Sequence, residues 1–167
     1  LIKWTLSNYP LGARTYDYSN FGYCLLGRII EARSGKSYES YVREKILKPA
    51  GANSMVLAGD KLADRKSNEV KYYGGKAYTS VKPQRFDSHG GWIATPIDLL
   101  RVLKSENVLG TPYGHSGAMS GTKAYLSRVD NEFSVAIVAN SSKADGIDAL
   151  IKEIIQLVSQ WPDKDMF

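Results

Sequence analysis

The spacing of apolar residues changes once along this chain, close to Gly110, and this change constrains the fold more than any other feature. Before Gly110, apolar residues recur at helical spacing. After it, two β-rich runs cover 123–129 and 133–140 and are separated by three polar residues. This arrangement predicts an antiparallel hairpin, and a shorter strand is expected over 115–119.

An α+β fold follows from this order of patterns. A helical lobe is expected over residues 1–110. A second lobe is expected over residues 111–167, where an antiparallel sheet of two or three strands is backed by a C-terminal helix over about 145–160.

Two helices are predicted early in the first lobe. The first is capped by Ser19 or Asn20 and ends just before Gly35, because these residue types are typical of helix termini. The second is expected over 37–47, with Pro49 as its stop.

The rest of the first lobe contains one further helix signal. Thr95-Pro96-Ile97-Asp98 combines a capping residue, a proline in the first turn and an acid, and predicts a helix that starts there. Residues 1–16 are interpreted as turn-rich, and 50–90 as long loops with at most one short hairpin.

Composition excludes several classes of function. The 22 basic and 17 acidic residues of this 167-residue chain give a net charge of +5, but the basic residues alternate with acids and form no stripe for nucleic acid. The single cysteine, Cys24, allows no internal disulfide and is interpreted as a small buried apolar residue. No apolar run is long enough to span a membrane, and the two histidines lack the spacing of metal ligands.

Because the chain starts at Leu1 rather than Met, we expect a piece of a longer protein.

Three short segments stand out in their order along the chain. Tyr18-Ser19-Asn20 leads into the first predicted helix, Gly90-Gly91-Trp92 precedes the third, and His115-Ser116-Gly117 lies on a predicted strand. Together they resemble the serine β-lactamase and penicillin-binding-protein superfamily, in particular its class C-like branch of β-lactamases, D-Ala-D-Ala carboxypeptidases and esterases. Each triplet alone is a weak signal, but the order of all three is specific.

The resemblance implies roles for individual residues. Tyr18 and Asn20 fall on the family's Tyr-x-Asn motif, and His115 begins the His-x-Gly version of its Lys-Thr-Gly motif. Gly117 completes that motif, and the peptide N–H of Ala118 matches a donor of the oxyanion hole. Gly90-Gly91-Trp92 is interpreted as structural. The resemblance also implies a serine acyl-enzyme without cofactor or metal, and a location outside the cytoplasm.

These residue types suit that chemistry. A tyrosine is a poor base near neutral pH unless cations stabilise its phenolate, and a histidine supplies such a charge only below about pH 6.5. Asn20 offers both a donor and an acceptor to a substrate amide. Gly117 lets a substrate backbone approach the strand, which orients a carbonyl toward the N–H of Ala118.

The nucleophile of this family is not apparent in the chain. The family uses a serine three residues before a lysine on a helix that precedes the Tyr-x-Asn motif. Only Ser120 has a lysine at this spacing, Lys123, and the pair follows the third motif at the start of a predicted strand. We therefore interpret Ser120 as a false match and expect the C-terminal part of such a hydrolase, inactive as sequenced.

The same interpretation predicts a substrate and binding partners. A β-lactam, a D-Ala-D-Ala peptide or an ester is the substrate expected for the parent protein. A sheet of two or three strands leaves an unpaired edge, so a homodimer or an N-terminal complement is expected to join there. The alternative to an enzyme is a non-enzymatic module that binds a peptide or a cell-wall fragment.

Overall fold

The computed structural model shows helices and two small antiparallel sheets, which confirms the predicted α+β class. The described residues are 2–9, 12, 15–74, 76–105, 113–128, 133–141 and 146–158. The helices are α1 (Ile2–Asn8), α2 (Asn20–Ser34), α3 (Tyr38–Val42), α4 (Lys48–Ala50), α5 (Pro96–Ser105) and α6 (Ile147–Val158), and a π-helical turn, Arg43–Leu47, joins α3 to α4. The strands are β1 (Val56–Leu57), β2 (Trp92–Ile93), β3 (Tyr113–Met119), β4 (Thr122–Arg128) and β5 (Ser134–Ala139).

Helix α2 matches its predicted bounds. Ser19 Oγ accepts a hydrogen bond from the backbone N–H of Gly22 at 3.0 Å, which satisfies one of the free donors at the helix start. Gly35 ends the helix with φ +68°, a conformation that favours glycine.

The second predicted helix ends later than the sequence indicates. Helical backbone continues from α3 through α4, and Gly51 (φ +73°) ends it instead of Pro49. Pro49 is the second residue of α4, which directly follows the π-helical turn, and the helical backbone runs through it. The predicted stop at Pro49 is therefore wrong.

The reading of residues 1–16 as turn-rich is also wrong in part, because α1 occupies Ile2–Asn8. The turn signal at Asn8 marks the end of a helix, where Asn8 Nδ2 donates to the carbonyl of Trp4 at 2.7 Å. The 50–90 region contributes β1, but β1 pairs with β2 just outside that region, Val56 opposite Ile93. The short pairing is therefore long-range and not a local hairpin.

The main sheet has the order β3-β4-β5, with both neighbouring pairs antiparallel. Its three strands agree with the predicted antiparallel sheet of two or three strands, and β4 and β5 form the predicted antiparallel pair. The predicted connection between β4 and β5 lies outside the described residues. Helix α5 packs against β5, and Arg128 on β4 donates to the backbone carbonyl of Leu103 on α5. A small core of Leu47, Ala52 and Met55 lies within the helical layer, packed against residues such as Val42, Trp92 and Leu99.

Candidate active site

Tyr18 and Asn20 lie at the entry to α2. Both side chains are exposed, and the Tyr18 hydroxyl donates to Asn20 Oδ1 at 3.2 Å. Ser19, which lies between them, caps the helix through its hydroxyl. The cap fixes the path of the chain, so the two polar side chains meet at the helix start and face solvent.

Helix α2 is held by the segment that precedes β2. Arg28 forms an ion pair of 2.5 Å with Asp87, and Trp92 Nε1 donates to the backbone carbonyl of Asp87 at 2.7 Å. Gly27 lies so close to Ser88 that an added Cβ would fall 2.4 Å from Ser88 Cβ. The sequence reading of Trp92 as structural fits these contacts, which fix the helix that carries Asn20.

Strand β3 is an edge of the sheet, and its register defines which peptide groups face outward. A two-residue turn, Ser120-Gly121, joins Met119 to Thr122, so this pair closes the hairpin with hydrogen bonds. Bonded and non-bonded pairs then alternate, which makes Ala118 opposite Lys123 a non-bonded pair. The N–H and C=O of Ala118 therefore point away from β4, toward the outer edge of β3, which pairs with no other strand among the described residues.

The side chains of β3 alternate between the two faces. Gly117 lies opposite Ala124, which lies opposite Val138, and paired residues share a face. His115, two residues from Gly117, is on this same face, and it is exposed. Ala118 belongs to the opposite face, so only its backbone is available to a ligand along the edge.

A cavity of about 450 Å³ lies between this sheet face and the helical layer, and we call it the sheet groove. Thr122, Ala124 and Val138 form its sheet wall. Apolar residues of the opposite wall include Met55, Trp92 and Leu99. Because Ala124 is paired with Gly117, the sheet wall of the groove continues from β4 onto β3.

Two polar residues in the sheet groove were not singled out from the sequence. Glu69 is 5% exposed and accepts from the Tyr72 hydroxyl at 2.7 Å and from the backbone N–H of Lys66 at 2.9 Å. Burial, followed by this bond to Glu69, raises the pKa of the Tyr72 phenol well above its ordinary value. The Glu69–Tyr72 spacing falls in a region read as loop, where periodicity gives no signal of burial.

Asp98 fixes the start of α5 beside the groove. It is 2% exposed and accepts hydrogen bonds from the hydroxyls of Ser54 and Thr95. Burial raises the pKa of this carboxyl, but the hydrogen bonds from Ser54 and Thr95 outweigh burial, and the net pKa is lowered. The acid predicted for the first turn of this helix therefore also ties the segment that precedes β1 to the start of α5.

The structure brings the predicted site residues together in two groups. Tyr18 and Asn20 form one group through their hydrogen bond, and His115, Gly117 and Ala118 form the other along β3. Within the described part of the chain, no hydrogen bond joins the two groups.

Ser120 has a structural partner. Its hydroxyl accepts from the backbone N–H of Lys76 at 3.0 Å, and it occupies the turn between β3 and β4. Lys123 is on β4, so the two residues do not share the helical face on which the family's serine and lysine cooperate. The described residues contain no group of three or more side chains suited to a metal ion, and no helix among them is long and apolar enough to cross a membrane.

A family model described as Beta-lactamase matches residues 3–111 of this chain. Among curated proteins, Penicillin-binding protein 4* of Bacillus subtilis (strain 168) is 33% identical over 90 residues. That match covers 52% of this chain and 20% of the relative. The chain therefore spans about a fifth of the length of this curated relative.

Solved structures share the fold. D-amino acid amidase from Ochrobactrum anthropi SV3, complexed with D-phenylalanine, superimposes with a TM-score of 0.69 and 16% identity over 88% of this chain and 59% of its own. A class C beta-lactamase gives a TM-score of 0.64 and 19% identity over 89% of this chain and 58% of its own. The chain thus covers less than two thirds of each of these structures.

Proposed function

This chain belongs to the beta-lactamase family, and on that basis we propose that it is the C-terminal part of a serine hydrolase that carries most of the substrate site but not the nucleophile. In the parent protein, the hydroxyl of a serine outside these 167 residues attacks the substrate carbonyl, and the substrate's C–N or C–O bond breaks as the acyl-serine forms. Water then hydrolyses the acyl-serine and regenerates the serine. The proposal concerns the role of this chain in that reaction.

The main support for this proposal is the outward-facing edge of β3. A substrate laid along this edge meets the outward N–H of Ala118, which suits it to stabilise the oxyanion of a tetrahedral intermediate. Gly117 has no side chain to block the approach. His115 lies on the groove face beside Gly117, where its imidazole assists the reaction electrostatically.

Tyr18 and Asn20 supply the remaining groups. Asn20 binds the amide of the substrate through two groups. Its Oδ1 accepts from the substrate in place of the Tyr18 hydroxyl, and its Nδ2 donates to the substrate. Tyr18 acts as the base for the incoming serine or holds the lysine that does so. Their exposure supports this role, because exposed polar groups can exchange an internal hydrogen bond for one to a ligand.

The isolated chain is proposed to lack turnover. Ser120, which alone has a lysine three residues later, is in a hairpin turn and bonded to the backbone of Lys76. Without a nucleophile the covalent pathway is closed, even when the groups that bind and polarise the substrate are intact.

The substrate of the parent is a β-lactam, a D-Ala-D-Ala peptide or an ester. The resemblance to a penicillin-binding protein supports the first two, and the fold shared with a D-amino acid amidase adds the amide of a D-amino acid. All of these present a carbonyl that an edge strand can align. The reaction takes place outside the cytoplasm, with a second copy or an N-terminal complement joined at the sheet edge.

A binding module without catalysis is the second candidate. The observation that favours it is the absence of a serine with the required spacing and helical placement within this sequence. The coding sequence upstream of Leu1 separates the two. A Ser-x-x-Lys segment there supports the hydrolase, and its absence supports the module.

Turnover assays test the proposed lack of a nucleophile. The chain is incubated with nitrocefin and with a p-nitrophenyl ester, beside a Tyr18→Phe variant as matched control. The expected result is no hydrolysis above buffer for either protein. Hydrolysis that Tyr18→Phe abolishes would contradict the proposal, since it would require a nucleophile within the chain.

A further inference from the structure

The segment around Gly74 lies across one end of the main sheet. The N–H of Tyr73 donates to the carbonyl of Asn140, the residue directly after β5, at 3.3 Å. A Cβ added to Gly74 would fall 2.3 Å from the backbone nitrogen of Gly121, the residue directly before β4. A side chain at this position would clash with the backbone of the β3–β4 turn, so the glycine allows the segment to sit directly on the sheet end.

Lys76, two residues after Gly74, contacts the β3 side of the same turn. Its backbone N–H donates to the Oγ of Ser120, the residue directly after β3, at 3.0 Å. Ser120 follows Ala118 by two residues, a separation of at most about 7 Å in extended chain. The side chain of Lys76 is exposed. Its ammonium therefore lies on a flexible four-carbon stem close to the Ala118 end of the β3 edge.

The charges of this region are positive. Residues 70–86 contain four basic residues and no acidic one. Glu69, directly before them, is buried and accepts two hydrogen bonds from its own neighbours. Within the part of the chain that the structure describes, no ion pair involves Lys76. The charge of Lys76 is thus available to a carboxylate of a ligand.

The outward peptide groups of Ala118 favour one direction for a peptide on this edge. In antiparallel pairing, a single substrate residue accepts from the N–H of Ala118 and donates to its C=O, whereas a parallel strand divides these two bonds between two residues. Antiparallel pairing therefore holds the residue with the reacting carbonyl by both of its own peptide groups. In that direction, the residues N-terminal to the reacting carbonyl extend toward Ser120 and Lys76.

We propose that Lys76 is a specificity-determining residue that binds a carboxylate on the N-terminal side of the scissile bond, and that the substrate is a peptide with an acidic residue directly before D-Ala-D-Ala. This inference rests on the proposed function, because it requires the substrate to lie along the β3 edge. It narrows the substrate class, since a simple ester or a peptide with a neutral residue at this position makes no ion pair with Lys76.

Two peptides of equal length test the proposal in ¹⁵N–¹H titrations, acetyl-Glu-D-Ala-D-Ala and acetyl-Gln-D-Ala-D-Ala. At low salt, the dissociation constant of the Glu peptide is expected to be about two- to fivefold lower, the range of an exposed ion pair. Lys76→Gln is expected to make the two constants equal, and Lys76→Arg to preserve the difference. High salt is expected to reduce the difference in the unmodified chain.

Lys71→Gln is the matched control. The ammonium of Lys71 lies 5.8 Å from the centre of the Tyr73 ring, and Tyr73 contacts the β5 side of the sheet end. This variant removes the same charge from the same segment and is expected to leave the ratio of the two dissociation constants unchanged.

Three results would overturn the proposal. These are equal dissociation constants in the unmodified chain, a preference for the Glu peptide that survives Lys76→Gln, and an equal loss of preference in Lys71→Gln. The amides of Asn20 and Ala118, observed in the same titrations, separate this failure from that of the proposed function. If both amides shift with both peptides at equal constants, only the role of Lys76 fails. If neither amide shifts with either peptide, the proposed function fails together with it.

Discussion

The Tyr18 hydroxyl donates a hydrogen bond to Asn20 Oδ1 across 3.2 Å, at the surface entry to α2. Tyr18 is 59% exposed, so water competes with this bond and it adds little to folding. A pair of polar groups that contributes little to stability is available to a ligand. This is the relationship on which the proposed site at the helix entry depends.

Two Tyr→Phe variants compare the contributions of the Tyr18 and Tyr72 hydrogen bonds to the free energy of unfolding. Tyr18→Phe is expected to change the free energy of unfolding by less than about 0.5 kcal/mol, because both partners are exposed. Tyr72→Phe leaves an oxygen of the buried Glu69 without its donor and is expected to cost about 1–3 kcal/mol. Urea denaturation of both variants provides the comparison. A loss above about 1 kcal/mol for Tyr18→Phe would make Tyr18 structural and contradict its assignment to ligand binding.

Two glycines of α2 respond differently to alanine. Gly27→Ala places a Cβ 2.4 Å from Ser88 Cβ, and the helix must move away from the segment that carries Asp87. We expect a loss of about 1–3 kcal/mol in unfolding free energy. Gly22→Ala, whose nearest contact is 3.5 Å, is expected to be neutral or to stabilise by up to about 1 kcal/mol. Thermal denaturation that gives equal effects would show that α2 is not held by this contact.

Asp98 makes stability depend on pH. Its pKa is lowered in the folded chain, so its contribution is fully present above about pH 4 and is lost as pH falls through the lowered value. Asp98→Asn is therefore expected to cost about 1–3 kcal/mol near neutral pH and less in acid. Chemical denaturation of both proteins at several pH values gives the difference. A difference that stays constant into strong acid would refute the role of the charged carboxylate.

Ser120 is expected to matter for structure and not for chemistry. Ser120→Ala removes the acceptor for the backbone N–H of Lys76 and is expected to cost about 0.5–1.5 kcal/mol. A fluorophosphonate probe is expected to leave the mass of the wild-type chain unchanged. An adduct that maps to Ser120 by peptide mass spectrometry would reverse the interpretation of this residue as a false match.

The sequence predicted elements well where local signals were strong. Ser19 and Gly35 marked the ends of α2, and Thr95-Pro96 marked the start of α5, because capping depends on nearby residues. The hairpin strands β4 and β5 were visible from their β-rich composition. The predicted helix stop at Pro49 was wrong because the effect of a proline depends on its position within a helical segment. The sequence around Pro49 did not define that position.

Long-range features could not be found in this way. The pairing of β1 with β2 joins Val56 to Ile93, and no local pattern links residues so far apart. The sheet groove and the burial of Glu69 arise from the same packing of distant segments. The resemblance in the three motifs pointed to Tyr18, Asn20 and His115. Only the strand register showed the direction in which the peptide group of Ala118 points.

The claim that Tyr18, Asn20 and the β3 edge form one substrate site is tested most directly by a ¹⁵N–¹H titration with a D-Ala-D-Ala peptide. The reporters are the side-chain amide of Asn20 and the backbone amide of Ala118. The account predicts that both signals shift with the same midpoint and that the peptide is not hydrolysed. Shifts of one reporter without the other, or of neither at saturation, would contradict it.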